Sequence, residues 1–409
     1  MMTIAEIHAA RGATMTVRNG KQVPLSIADQ PAAHAALRQH FVVVDYSHFA
    51  RVDVSGDDVF EFLDVIVSGD LATLRDGQAL YTFILDEQGQ IVADLCVLCD
   101  DDSYILLSEG ITGANLKQYL VSHLSSHSAK HLVEIEDRFD DFASVLFEGP
   151  YSWEIAKDLF GMDVIGLPFM EYMRIDGGIL FRTGHHGEFA YQVICDQDTA
   201  RALLQDAENR YGKYNGVFAG LDFQDLARLE NPCWDDARLG AHSRCPIELQ
   251  LQWMVRYDKE AFVGKQALET KLAEGPGQRL VGFVADNEGK ADIQVGQAVH
   301  LGEDQIGTVI IAGFSAELQR TIGQALLTVE YAYADIAGFR IGEISISTSK
   351  LPFARNFSFL VNPLEHSYID PTRHKSMLEQ WQAAEAAKRA EQEAAVTETA
   401  GDGHAAENT

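Results

Sequence analysis

The stretch ALYTFILDEQGQIVADLCVLCDDDSYILLSE, residues 79–109, limits the fold more than any other part of the chain. Three apolar runs are separated only by polar turns at Glu87–Gly89 and Asp100–Ser103. Connections that short join antiparallel strands, because a parallel pair needs a long crossover. Around this unit, helical and strand patterns alternate. PAAHAALRQH reads as a helix leading into the strand FVVVDYS, ARVDVSG alternates as a strand, and GDDVFEFLDVIV has helical spacing with an acidic first turn. TGANLKQYLVSHLSSHSA reads as a further helix and HLVEIEDRFDDFASVLFEGP as two more strands. The first 30 residues combine a short helical pattern, IAEIHAARGA, with loop. The expectation is an α+β body rather than a doubly wound parallel sheet.

EGPGQ, near residue 276, reads as a linker. Beyond it RLVGFVAD, QAVHLG, QIGTVIIAGFS and FRIGEISISTSK alternate at short intervals, an all-β signature. The chain therefore divides into a body over 1–275, a β domain over 276–365 and an acidic, Ala/Glu-rich tail over 366–409. From about residue 376 the tail reads as a frayed helix passing into disorder.

The formal charge of −29 excludes partner classes. The last 39 residues hold four Lys/Arg and seven Asp/Glu, leaving −26 on the rest of the chain. Such a field repels nucleic acid and anionic membrane surfaces. No apolar run approaches the ~20 residues that span a bilayer, and MMTIAEIHAARGATM lacks the pattern of a signal peptide. A cytoplasmic location is the expectation. Five cysteines are too few for a disulfide framework. Cys96 and Cys99 form a CxxC, but three residues apart on a strand they face opposite ways and cannot share a metal.

Several polar groups invite functional readings. Asp45, Ser47 and His48 lie together in VVDYSHFA, yet no exposed nucleophile elbow accompanies them. His123, His127 and His131 repeat every four residues in a Ser-rich stretch that reads as a helix end, and no metal site is expected there. Arg228 and Glu230 by themselves read as an ordinary surface pair. Asp94 is different. Strand alternation places it among apolar neighbours, where a carboxylate is costly unless it is bonded or used.

Taken in order, six segments resemble the tetrahydrofolate-dependent aminomethyltransferase family, the glycine cleavage T-protein and its relatives. They are VVVDYSHFARVDVSG, YTFILDEQGQIVADLCV, RTGHHGEFAYQV, LDFQDLARLE, CPIELQLQWMVRYDKEAFVGKQAL, and QIGTVIIAGFSAELQRTIGQALL with the late KLPF. The resemblance implies a folate-binding body with a central cofactor hole and a C-terminal β-barrel. It implies transfer of a one-carbon unit to N5 of tetrahydrofolate, with Asp94 as catalytic residue and Tyr81, Asp94, His185, Gln192 and Arg228 as cofactor contacts. At two positions the chain departs from the family pattern: the pocket tyrosine is His185, and the glutamate that grips the pterin is Gln192. A carboxylate accepts from both adjacent pterin donors, whereas an amide accepts one and presents its own NH₂ to the other. The expectation of folate is weakened accordingly, unless a neighbour such as Glu188 substitutes. The loop NPCWDDARLGAHSR replaces the family's Gly-rich turn, so the donor is open. A small-molecule amine or methyl donor is favoured over the lipoyl carrier, an acidic protein that a like-charged body opposes. The rival readings are a folate-binding protein without turnover and an enzyme that exchanged folate for another ligand, using His185 as acid/base.

Overall fold

The computed structural model describes residues 2–128, 131–205, 211–354, 356–370 and 372. Strands are numbered in chain order. The three runs of residues 79–109 form β5 (Ala79–Leu85), β6 (Ile91–Asp100) and β7 (Ser103–Ser108), turning at Gly89 (φ 73°) and Asp101 (φ 54°). With β4 (Ala50–Ser55) and β8 (Glu134–Asp137) they make one sheet in the order β5-β6-β7-β4-β8. On one face Ala93, Leu95 and Val97 pack beneath the helices Val59–Ile66 and Gly113–Leu124. Asp94, opposite Phe83 in the register, projects from the other face. Cys99 belongs to the helix-side core and Cys96 packs against the core on the opposite face, so the pair is split as expected.

A second sheet runs β10 (Tyr172–Ile175), β11 (Gly178–Thr183), β12 (Ala190–Cys195), β9 (Ala143–Glu148), β3 (Phe41–Asp45) and β13 (Gly216–Ala219). Leu98, Ile105 and Leu107 of the first sheet share a core with Val44, Leu146 and Phe181 of the second. This shared core fixes the RTGHHGE turn between β11 and β12 relative to β6.

The N-terminal segment corrects the sequence reading. Residues expected as loop form a hairpin, β1 (Thr14–Arg18) and β2 (Lys21–Ser26), around Asn19 (φ 46°) and Gly20 (φ 85°). Asn-Gly is a strong hairpin signal because both residues accept positive φ. The C-terminal strands β14 (Gln278–Ala285), β15 (Ala298–Leu301), β16 (Asp304–Ser315), β17 (Arg320–Thr328), β18 (Phe339–Ile341) and β19 (Ile344–Ser349) close into a barrel. The segment FRIGEISISTSK supplies two of these strands, reversing at Gly342 (φ 57°). Val281, Phe283, Ala325 and Leu327 fill the barrel, while Leu280, Ile310 and Leu326 face outward onto Leu249, Met254 and Phe262 of the body. The frayed helix expected beyond residue 376 lies outside the described residues. Among the described residues, no helix is long and apolar enough to cross a membrane.

A buried polar network joins these parts. The helix Gln30–Gln39, capped by Asp29 on the Ala32 N–H at 3.1 Å, carries His34 and Arg38 inward. Arg38 Nη1 donates to the His186 carbonyl at 2.9 Å and to Glu188 and Asn356, each at 3.1 Å. Its Nη2 lies 3.5 Å from Glu230 Oε2, which also meets His34 Nε2 at 2.7 Å. From the barrel, Ser315 donates to Glu230 Oε1 at 2.7 Å. Ser358, past the barrel, donates through its N–H and hydroxyl to Glu188 Oε2. Burial pushes the Glu188 carboxyl up to about 7, against the pull of Arg38. Glu230 and Arg228 are therefore not a surface pair: both turn inward, to different partners. Replacing Arg38 by Met strands two buried carboxyls, and we expect a loss of about 3–5 kcal/mol in denaturant unfolding.

Candidate active site

Asp94 lies at a small cavity of about 160 Å³ lined by Arg18, Asn19, Glu109, Arg228 and Trp234, among others. Tyr81, two residues along β5 from the Phe83 that pairs with Asp94, donates its hydroxyl to Asp94 Oδ2 at 2.7 Å. The other carboxylate oxygen faces Gly110. A Cβ at that glycine would sit 3.3 Å from Asp94 Oδ1 and 4.0 Å from Trp234 Nε1, so the missing side chain leaves this corner open. Trp234 Nε1 is buried and has no hydrogen-bond partner among the described residues. Burial pushes the Asp94 carboxyl up to about 6, although the Tyr81 hydroxyl and Arg228 pull the other way.

The site's cation is held by carboxylates. Arg228 Nη2 bonds to Glu109 and its Nη1 to Asp235 at 3.2 Å. His48 Nε2 meets the other Glu109 oxygen at 3.0 Å. Burial disfavours both charges, but their attraction outweighs it: the Glu109 carboxyl is held well below its usual range and Arg228 is raised. From the N-terminal hairpin, Asn19 Nδ2 donates to the carbonyls of Glu109 at 2.9 Å and His48 at 3.1 Å. Arg228 Nε is buried without a partner among the described residues.

His185 and Gln192 form a second group on the β11–β12 side. The His185 ring stands edge-on to Tyr46 and Phe49, with centroids 5.3 and 5.6 Å away. Its Nε2 lies 3.2 Å from Gln192 Oε1, and Gln192 Nε2 donates to Ser144 Oγ at 2.9 Å. Burial lowers the His185 pKa, with Glu148 opposing, so the ring favours its neutral form. His186, next to it, is fully buried and structural. Its Nδ1 and backbone N–H each lie 2.7 Å from Glu148 oxygens. Its charge and hydrogen bonds overcome burial and hold the Glu148 carboxyl below its usual range.

A model of the GCVT N-terminal domain matches residues 4–259, and one of the glycine cleavage T-protein C-terminal barrel domain matches residues 278–353. The chain belongs to the glycine cleavage T-protein family. It is 30% identical over 339 residues to an aminomethyltransferase of Alkaliphilus oremlandii, covering 80% of this chain and 89% of that protein. It is 26% identical over 356 residues to one of Pseudothermotoga lettingae, covering 86% and 96%. The glycine cleavage system aminomethyltransferase T from Bartonella henselae shares the fold, with a TM-score of 0.73 at 23% identity, covering 87% of this chain and 98% of that one. The family's members are folate-dependent transferases, and the α+β body with a closed barrel is its fold.

Within this family frame, Tyr81 and Asp94 share a hydrogen bond and Arg228 is near enough to act on the Asp94 charge. The sequence reading missed Glu109, Gly110 and Trp234. Trp234 lies in the NPCWDDARLGAHSR loop that departs from the family pattern, while Glu109 and Gly110 end the opening strand unit and gave no periodic signal. Glu188 does not stand in for a pterin grip, since Arg38 and Ser358 occupy both its oxygens. Asp45, Ser47 and His48 do not assemble. Asp45 pairs with His8 at 2.9 Å, Ser47 Oγ accepts from the Ser144 N–H, and His48 serves Glu109. His123 packs on Tyr119 in the last turn of its helix, while His127 and His131 lie beyond it. Among the described residues no group of three or more His, Cys, Asp and Glu is placed to hold a metal.

A carboxyl raised by burial is a cost of the ionised fold. It is absent below the unfolded value, grows as pH rises from there to about 6, and is complete above that. Asp94→Asn removes it, so that variant gains about 1–2 kcal/mol at pH 8. The gain vanishes below about pH 4, where Asp94 is protonated in both states. Paired denaturant titrations at the two pH values measure this.

Proposed function

We propose that the chain transfers an aminomethyl-derived one-carbon unit to N5 of tetrahydrofolate at Asp94. The observation that carries this reading is the half-buried Asp94 carboxyl, bonded to Tyr81 and open on its other side beside Trp234 Nε1, which has no partner among the described residues. These residues suit folate: a carboxylate for an N–H, and two buried donors, Trp234 Nε1 and Arg228 Nε, without partners among the described residues. Gln192 suits it less well. Its NH₂ is committed to Ser144, and its oxygen already meets His185, so a single lone pair is left for the two adjacent pterin donors.

Tetrahydrofolate, when bound, supplies the secondary amine that accepts the carbon. Asp94 would take up the proton that the amine loses as its bond to the carbon forms and the carbon's bond to the donor heteroatom breaks, and would return a proton to that leaving group. Raised to about 6, the carboxyl is mostly ionised yet basic enough at neutral pH. Tyr81 holds the carboxyl in one orientation, leaving the second oxygen for the substrate. Glu109, with His48 and Asp235, fixes Arg228 at the cavity edge and leaves its buried Nε without a partner among the described residues.

The aminomethyltransferase name of the relatives favours an aminomethyl donor over a methylamine. A lipoyl carrier of the glycine cleavage type is the second reading, favoured by the match to that system's barrel domain. A net charge of −29 opposes its approach if it is acidic, so turnover on such a carrier should rise with salt while turnover on a free donor should not.

Asp94→Asn should lower turnover by about 10²-fold or more, with folding intact by circular dichroism, and wild-type kcat/KM should fall as pH drops through about 6. Unchanged turnover in that variant rejects the reading. Gln192→Glu restores a second acceptor and should tighten tetrahydrofolate by about tenfold in calorimetry.

A further inference from the structure

Ser144 is a hydroxyl set in an apolar place. On β9 it is fully buried, on the same face as Leu146, and Leu146 pairs with Gln192 in the register to β12. Ser144 and Gln192 are therefore diagonal neighbours on adjacent strands, within side-chain reach. Around them Leu146, Ala190 and Ile194 belong to the core that the two sheets share. Polar groups persist in such a place when they are hydrogen-bonded, and their bonds then dictate how each one points.

Those bonds leave little freedom. Gln192 Nε2 donates to Ser144 Oγ at 2.9 Å, which turns the amide oxygen towards His185. That oxygen can only accept, so His185 Nε2, 3.2 Å from it, carries the proton. Burial favours the neutral ring, and a neutral imidazole protonated at Nε2 has a bare Nδ1. His185 Nδ1 has no hydrogen-bond partner among the described residues. The Ser144 main chain is fixed as well: its N–H donates to Ser47 Oγ at 3.1 Å, and its carbonyl accepts from the Tyr46 N–H at 2.8 Å. Tyr46 in turn is one of the two rings that stand edge-on to His185. With the amide reversed, its NH₂ would face His185, Nε2 would be bare and the proton would sit on Nδ1.

We infer that Ser144 is a positioning residue: its hydroxyl holds the Gln192 amide, the amide selects the Nε2–H tautomer of His185, and Nδ1 is left as an acceptor. The group then offers two acceptors on two residues, the free lone pair of Gln192 Oε1 and His185 Nδ1. Their complement is a ligand edge with two adjacent N–H donors, which Gln192 alone cannot satisfy. Naming that edge as a pterin rests on the transfer reading, whereas the tautomer does not.

Nitrogen-15 NMR of the full chain, labelled at histidine, reads the tautomer in the ligand-free protein at about pH 8. The His185 signals are assigned by their absence in His185→Gln. We expect Nε2 to resonate as a protonated, pyrrole-like nitrogen and Nδ1 as a bare, pyridine-like one. In Ser144→Ala the amide loses its hold, and the Nδ1–H form should rise to a comparable population. Ser144→Thr keeps the hydroxyl and should restore the wild-type signature. Tetrahydrofolate should shift the wild-type Nδ1 resonance, and Ser144→Ala should bind it about tenfold more weakly in calorimetry. An Nδ1–H tautomer in the wild type overturns the inference, and so does an unchanged tautomer in folded Ser144→Ala. Bound tetrahydrofolate that leaves Nδ1 unmoved overturns the two-acceptor assignment. If tetrahydrofolate does not bind, the transfer reading falls, while the ligand-free spectra still decide the role of Ser144.

Discussion

Glu230 is where the parts of this molecule are tied together. Its carboxylate receives Arg38 and His34 from the N-terminal helix and Ser315 from the barrel. Through Arg38 it reaches the His186 carbonyl and Glu188 in the turn that also carries His185. Glu230 ends the helix Phe223–Glu230, and Arg228 projects from that helix two residues earlier, about 200° around it. One face of the last turn therefore locks body to barrel while the other delivers a cation to the candidate site. A buried network of this kind adds little net stability over apolar packing, but losing one member leaves uncompensated charge. Its value here lies in register: Arg228 cannot shift without disturbing Glu230.

The candidate site uses the same economy. Asp94 takes its position from strand alternation and its protonation behaviour from burial. Tyr81 reaches it because cross-strand diagonal neighbours on one face lie within reach of a long side chain. Glu109, at the end of the same three-strand unit, anchors Arg228. A single antiparallel unit thus supplies the carboxylate, its orienting hydroxyl and the counter-charge of the cation. His185 and Gln192 come from the other sheet, and the core shared by the sheets sets their distance from the Asp94 cluster.

Much of this was legible in the sequence where local rules dominate. The turns at Glu87–Gly89 and Asp100–Ser103 and the alternation around Asp94 are short-range patterns, and the strands and the buried carboxyl followed from them. The order of segments was enough to reveal the family. The hairpin at Asn19-Gly20 carried a local signal that the polar, half-exposed strands around it masked. What sequence could not show were partnerships across long separations. Nothing local distinguishes Arg228–Glu109 from a surface pair, or tells that Glu188 is consumed by Arg38 and Ser358. The His185-His186 pair divides for the same reason, since only the fold decides which ring meets Glu148 and which faces Gln192.

The central claim is that Asp94 is a desolvated, orientated carboxyl with its free oxygen available to a substrate N–H. Carbon-13 NMR of Asp-labelled protein, with the resonance assigned by its absence in Asp94→Asn, tests this without reference to any donor. The account predicts a titration midpoint near 6, shifting when tetrahydrofolate is added. A midpoint near 4, the ordinary aspartate value, unmoved by tetrahydrofolate, would contradict it.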